Sequence, residues 1–170
     1  SATNIKAVLD AICNQLGPNS FEAPSHSDCS TSCPDCLRSW DNRRLHGHFD
    51  WRLALDVAAL ARGDKLPAAR WINRAPQLIK NFSNAFSQNL GGLTEIYVRG
   101  LPAIVRSDGS AAVLLGHPLW QHDPLGMHLN GDQADALAEL KVAYPNAKVE
   151  VSDLFVLDRY PVRIFKQLAN

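Results

Sequence analysis

No apolar run in this chain approaches the roughly 20 residues needed to cross a bilayer. Neither sign of charge is in excess: 17 Lys+Arg stand against 17 Asp+Glu. That balance excludes a polycation that coats nucleic acid indiscriminately, though not a local basic face. The N-terminal Ser1-Ala2-Thr3-Asn4 has no charged segment leading into an apolar one, so no secretory signal is visible and a cytoplasmic location is expected. A starting Met is also missing, and the expectation is a chain processed or cut from a longer polypeptide. An apolar fraction of 46% and a charged fraction of 20% are ordinary globular values, which excludes a disordered tail or a collagen-like repeat. A length of 170 residues suits one domain, or two small ones sharing an interface.

Catalytic signatures are scarce too. No Walker A motif is present, so the chain binds no ATP in the P-loop manner, and there is no G-x-S-x-G or H-E-x-x-H. Phospholipase-D-type chemistry needs His-x-Lys, which is absent. A PD-(D/E)xK nuclease needs an acidic-x-Lys on a strand to hold Mg²⁺ and orient water. The only E-x-K, Glu139-Leu140-Lys141, falls in a segment of helical pattern. Glu150-Val151-Ser152 lies on an expected strand but lacks the lysine. His117, His122 and His128 with Asp123 match no standard metal spacing and read as scattered loop histidines.

What the chain does have is a cysteine cluster. Its four cysteines are Cys13, Cys29, Cys33 and Cys36, the last three within Asp28-Cys29-Ser30-Thr31-Ser32-Cys33-Pro34-Asp35-Cys36. Of three thiols this close only one pair can close locally as a disulfide, and a chain of this length can build its own core without one. Thiolates held together suit a tetrahedral metal with Zn–S near ~2.3 Å. Cys33-Pro34-Asp35-Cys36 also reads as a redox C-P-x-C, but no strand precedes it. The zinc deaminase pattern, His-x-Glu then Pro-Cys-x-x-Cys, is not met, because the proline lies between the cysteines. A closed structural zinc site is therefore expected. Its fourth ligand is open: Cys13 and His46 are the main candidates, His26 and His48 weaker ones. The bland alternatives are a small buried hydrophobe for Cys13 and a surface loop histidine for His46.

Along the chain, Ile5, Val8, Leu9, Ile12 and Leu16 predict a helix over 3–16, stopped by Gly17-Pro18. Residues 17–36 are rich in Pro, Ser and Asp and need a metal to order them. A helix over 50–62 is expected, capped by Asp50 and ended by Gly63, with Leu53, Val57 and Leu60 as its apolar stripe and Arg52–Asp56 as a surface pair. A second helix over about 68–88, kinked at Pro76, carries Trp71, Ile72, Leu78, Ile79, Phe82 and Phe86 as core. Strands follow at Thr94–Arg99, Leu101–Arg106 and Ala111–Gly116, the last two joined by Ser107-Asp108-Gly109. A His-, Asp- and Gly-rich loop spans 121–131. Asp132–Tyr144 reads as a helix using Ala134, Leu137, Leu140 and Val142. A strand over Lys148–Val151 continues irregularly to Phe155, and a short helix, Val162–Leu168, ends the chain. The expected fold is α+β: a zinc-stapled helical part over 1–90, packed on a small mixed sheet with flanking helices over 91–170, together one unit.

Charge is uneven locally. Between Leu37 and Ala85, nine basic residues (Arg38, Arg43, Arg44, Arg52, Arg62, Lys65, Arg70, Arg74, Lys80) face four acids (Asp41, Asp50, Asp56, Asp64). Trp40, Trp51 and Trp71 are interleaved with them. Arginines among aromatics can hold phosphates and stack bases; they can equally be a solvated helix surface with core tryptophans. Arg38, Arg43 and Arg44 are the candidate phosphate contacts. Trp120, after His117-Pro118-Leu119, reads as a packing anchor.

The run Cys29-x3-Cys33-Pro34-Asp35-Cys36-Leu37-Arg38-Ser39-Trp40-Asp41-Asn42-x3-His46-x3-Asp50-Trp51-Arg52-Leu53-Ala54-Leu55-Asp56 resembles a known module. It is the cysteine-rich C-terminal domain of unknown function that follows the motor of some superfamily 2 DEAD/DEAH-box helicases, related to the zinc-binding domain of mitomycin-repair-type helicases. Phe49 stands where that family usually has Leu. His117-Pro118-Leu119-Trp120 and Asp153-Leu154-Phe155…Asp158-Arg159-Tyr160-Pro161 are similar to its later landmarks, with Arg159-Tyr160 where two arginines are common. The resemblance implies Cys29, Cys33, Cys36 and His46 as structural zinc ligands. It further implies a non-catalytic accessory role in a DNA helicase, with the motor domains of the same polypeptide and single-stranded or duplex DNA as partners. Two other roles compete: a protein-interaction scaffold with structural zinc, and a degenerate metal-dependent nuclease.

Overall fold

A computed structural model of the chain describes residues 2–14, 20–120 and 129–169. The fold is α+β, with seven α-helices and a four-stranded mixed sheet among the described residues. No helix among them is long and apolar enough to cross a membrane. The chain divides into two compact units, Ser1–Pro67 and Ala68–Asn170. The helical segment after Pro67 belongs to the same unit as the sheet.

In the first unit, helix α1 (Ala2–Asn14) packs on helix α2 (Trp51–Arg62). The expected stop of α1 at Gly17-Pro18, and Leu16, lie outside the described residues. Asp50 caps α2 by accepting the Arg52 N–H at 2.9 Å, and Gly63 ends it in the left-handed region at φ 93°. A residue without a side chain adopts that conformation at least cost. Arg62, at the C-terminal end of α2, reaches Asn14 Oδ1 at 3.1 Å and Asp10 at 3.6 Å, tying the two helices.

The inward face of α2 differs from expectation. Trp51, Leu55, Ala58 and Ala59 are buried, while Val57 and Leu60 are exposed. Asp56, expected on the surface, is fully buried. The reason lies at the helix start. The Trp51 backbone N–H donates to the Thr31 carbonyl (2.8 Å), its indole N–H to the Cys29 carbonyl (3.1 Å), and Arg52 to the Ser30 carbonyl (2.6 Å). These bonds set the helix's rotation from the cysteine loop, and residues one turn apart from Trp51 follow it inward.

In the second unit, strands β1 (Leu93–Val98), β2 (Leu101–Arg106) and β3 (Ala111–Gly116) form an antiparallel meander, and β4 (Lys148–Asp153) lies parallel to β3. The β1–β2 turn uses Arg99 (φ 50°) and Gly100 (φ 80°), the paired positive φ of a tight hairpin. All six residues of β3 are buried, as expected of a strand covered on both faces. Ala103, Val105, Ala112 and Leu114 share one core cluster with Ala136, Leu137 and Leu140 of helix α5 (Gly131–Ala143). Helix α7 (Pro161–Ala169) also packs on β3. Val142, expected inward on α5, is 80% exposed, and Ala136 is buried instead.

The expected kinked helix over 68–88 is two helices, α3 (Ala69–Ile72) and α4 (Ala75–Phe86). Pro76 sits in the first turn of α4, where its missing N–H leaves no bond unmade. After β4 the chain forms helix α6 (Leu154–Arg159), capped by Asp153 through the Val156 N–H at 2.8 Å. An irregular strand had been expected there.

Candidate metal centre

Four side chains meet in the first unit. His26, Cys29, Cys33 and Cys36 each offer one ligand atom, and these atoms all lie within 4.8 Å of one another. Cys29 Sγ and Cys33 Sγ stand 3.9 and 3.8 Å from Cys36 Sγ, and His26 Nε2 stands 3.2 Å from Cys33 Sγ. Such S···S separations are far beyond the ~2.05 Å of a disulfide, and all four cysteines are free. The set could hold one metal ion.

Local structure explains the assembly. Pro24 opens a short 3-10 turn, Pro24–His26. The Cys29 N–H then donates to the His26 carbonyl at 3.1 Å. Imidazole and first thiol thus leave one turn on the same side. From Cys33 to Cys36 the chain turns again: the Cys36 N–H donates to the Cys33 carbonyl at 3.1 Å, and the Cys33 N–H reaches Cys36 Sγ at 3.1 Å. That backbone N–H fixes where the Cys36 sulfur sits relative to the Cys33 turn. The Arg38 Nε–H donates at 2.9 Å to Ser32 Oγ, a buried hydroxyl between the cysteines.

The histidine is oriented by a second contact. His26 Nδ1 lies 2.7 Å from the Phe21 carbonyl oxygen. A carbonyl only accepts, so Nδ1 carries the proton and the Nε2 lone pair faces the sulfurs. Metal-bound histidines are held this way, the other ring nitrogen donating to a carbonyl or carboxylate. The ring sits between Phe21 (centroids 6.1 Å apart) and the edge of Trp51 (5.9 Å). Trp51 also holds the Cys29 carbonyl, so one aromatic positions two of the four candidate ligands.

Electrostatics within the cluster favour a cation. Burial, then hydrogen bonds with Cys33 and Cys36 and their charges, push the Cys29 thiol up to about 12. Burial raises Cys33 as well, but the Asp35 backbone and its bonds with Cys29, His26 and Cys36 bring it below the ordinary thiol value. Three thiols compete here to share negative charge, and a bound cation relieves that competition by deprotonating all of them.

His46 is not in the set. Its Nε2 faces Asn42 Oδ1 at 2.9 Å and the Ser39 carbonyl at 3.1 Å. Both are acceptors, so that nitrogen carries a proton and has no lone pair for a metal. Cys13, half-buried on α1, and the exposed His48 are not in the set either. His26, a weaker candidate on sequence, precedes Cys29 by three positions, the same step as Cys33 to Cys36, but it is the Pro24–His26 turn that brings its ring to the sulfurs.

Of the candidate phosphate contacts, Arg43 and Arg44 are exposed, whereas Arg38 is engaged with Ser32. Trp51 and Trp71 are buried, but Trp40 is 79% exposed. In the second unit His117 is fully buried, its Nδ1 accepting the Leu119 N–H at 3.0 Å. His122, Asp123 and His128 lie outside the described residues. Trp120 is partly buried against the sheet core, in keeping with a packing anchor. Glu139 and Lys141 are exposed on α5 either side of the buried Leu140.

No protein-family model matches this chain, and no curated protein or solved structure matches it.

Proposed function

We propose that His26, Cys29, Cys33 and Cys36 form a structural zinc centre, and that it staples a non-catalytic accessory domain of a DNA helicase that contacts DNA through Arg43 and Arg44. The observation that carries the zinc reading is the donor geometry around His26. With Zn–S of about 2.3 Å, the edge of a tetrahedron is about 3.8 Å, and the sulfurs here stand 3.8 and 3.9 Å from Cys36. Three soft sulfurs and one oriented imidazole nitrogen select zinc over hard, oxygen-seeking cations. Four protein ligands close the coordination sphere, which marks a structural rather than a catalytic site. The centre supplies what the Pro-, Ser- and Asp-rich loop lacks, since little apolar surface is available there to order it.

The helicase and DNA parts rest on the sequence resemblance over residues 29–161, and on the two adjacent exposed arginines beside the centre. Elemental analysis of protein prepared without chelators tests the metal: one zinc per chain is expected, and none would overturn the reading. Binding of a short single-stranded oligonucleotide across a salt series tests the phosphates. Loss of two contacts in R43A/R44A should lower the log–log salt slope by about 1.4, and an unchanged slope removes those residues from the interface.

The exposed Ile5 and Val8 of α1 and Val57 and Leu60 of α2 favour a second reading, a protein-interaction module with the same zinc. No DNA binding even at low salt, where phosphate contacts are strongest, would decide for it.

A further inference from the structure

Trp40 is the exception among the described tryptophans. Trp51 and Trp71 are 8% and 0% exposed, yet Trp40 is 79% exposed. The Arg43 guanidinium lies over its ring, 4.5 Å from the centroid. At that exposure most of the ring lies open to solvent. Nor is the indole left out on a loose strand. The Ser39 N–H donates to Asn42 Oδ1 (2.8 Å), the Asn42 amide to the Leu37 carbonyl (2.9 Å), and His46 Nε2–H to the same Asn42 oxygen (2.9 Å). The turn over 37–46 is therefore braced on both sides of an aromatic that gains nothing from burial. It is also anchored directly to Cys36, a ligand of the proposed metal.

We infer that Trp40 is a stacking platform for one unpaired base of single-stranded DNA, with Arg43 and Arg44 taking the flanking phosphates. This rests on the DNA-contact reading above and narrows it to a strand state and a chemistry. A flat, open π-face suits any base, because every base has a π-face. Arg43 backs the ring by cation–π contact, its guanidinium 4.5 Å from the centroid. Arg43 and Arg44 outweigh the one adjacent acid, Asp41, so charge complementarity favours a polyanion over an acidic-rimmed apolar peptide. In a duplex the bases are already stacked on one another, leaving only their edges, so an unpaired segment is the better fit.

The test uses the whole zinc-loaded chain and three oligonucleotides of equal length: oligo-dT, its abasic analogue and oligo-rU. The expected result is quenching of the exposed indole emission by oligo-dT, with affinity about 5- to 150-fold above the abasic strand, the range of one base–aromatic stack. W40A should erase that difference with zinc content and far-UV circular dichroism unchanged, and W40F should restore part of it. Equal binding of oligo-dT and the abasic strand by the unaltered chain overturns the platform while leaving the phosphate reading intact. Failure of every strand to bind at low salt overturns both. Tighter binding of oligo-rU than oligo-dT overturns the assignment to DNA.

Discussion

Replacing His26 with Ala should do far more harm than replacing His46 with Ala. Among the described residues His26 supplies the only side-chain nitrogen grouped with the three sulfurs, and its Nδ1–H is already committed to the Phe21 carbonyl at 2.7 Å. Disturbing only the outer partner of a metal ligand costs about 10–100-fold in metal affinity. Loss of the ligand itself should exceed about 100-fold, or about 2.7 kcal/mol, out of the ~10–16 kcal/mol that structural zinc contributes to such sites. His46 instead braces a half-exposed turn through Asn42 and Ser39. Its loss should cost about 1 kcal/mol of stability and change zinc affinity less than about tenfold. Competition with a chromophoric chelator measures both affinities on folded protein. Cobalt(II) substitution adds a direct signature, since the visible bands of a tetrahedral site move when nitrogen leaves the coordination sphere. If H46A weakens zinc more than H26A, or shifts the cobalt bands while H26A does not, the ligand assignment is wrong.

Three further outcomes follow from other parts of the molecule. Trp51→Phe keeps a ring against His26 but removes the indole donor to the Cys29 carbonyl (3.1 Å); thermal melts should show a loss of about 1–2 kcal/mol, and no loss would mean the bond is not stabilising. Gly116→Ala puts a Cβ 2.5 Å from Gln133 Nε2 and 3.0 Å from the Trp120 ring, whereas Gly131→Ala meets nothing within 4 Å; urea unfolding should show the first losing about 1–3 kcal/mol and the second nearly neutral or slightly stabilised. Tyr97, pushed up to about 12 by burial and then by its 2.8 Å bond to Glu95, should give a component that ionises above the ordinary phenol range in an ultraviolet pH titration. The folded state holds that proton more tightly than the unfolded one, so the bond's support is complete below the ordinary phenol value and fades as pH rises towards 12. Y97F should delete the late-ionising component, and an unchanged curve would contradict the assignment.

Much of the fold was legible because it rests on local chemistry. Asp50 and Gly63 bound α2 as cap and left-handed stop, Ser107-Asp108-Gly109 turns β2 into β3, and the apolar runs of β2 and β3 read directly as buried strands. The errors arose where tertiary contacts choose between local options. The stripe Leu53–Val57–Leu60 looked apolar enough to face inward, but hydrogen bonds from Trp51 and Arg52 to the cysteine loop rotate α2 onto Leu55 and Ala58. Pro76 looked like a kink and is a helix start, because the break falls at Asn73 and Arg74.

The site shows the same division. Spacing alone marked Cys29, Cys33 and Cys36 as one cluster. The fourth member depended on a turn that spacing did not reveal, since only the Pro24–His26 turn and the Phe21 carbonyl aim an imidazole at the sulfurs. His46 sits where the resemblance implied a ligand, yet its nitrogen is taken by Asn42 and Ser39.

X-ray absorption at the zinc edge of the whole chain tests the central claim most directly. The expected spectrum fits one zinc bound by three sulfurs at about 2.3 Å and one nitrogen at about 2.0–2.1 Å, with the nitrogen lost in H26A and retained in H46A. A four-sulfur shell, which would bring in Cys13, or a nitrogen that survives in H26A, would contradict the centre described here.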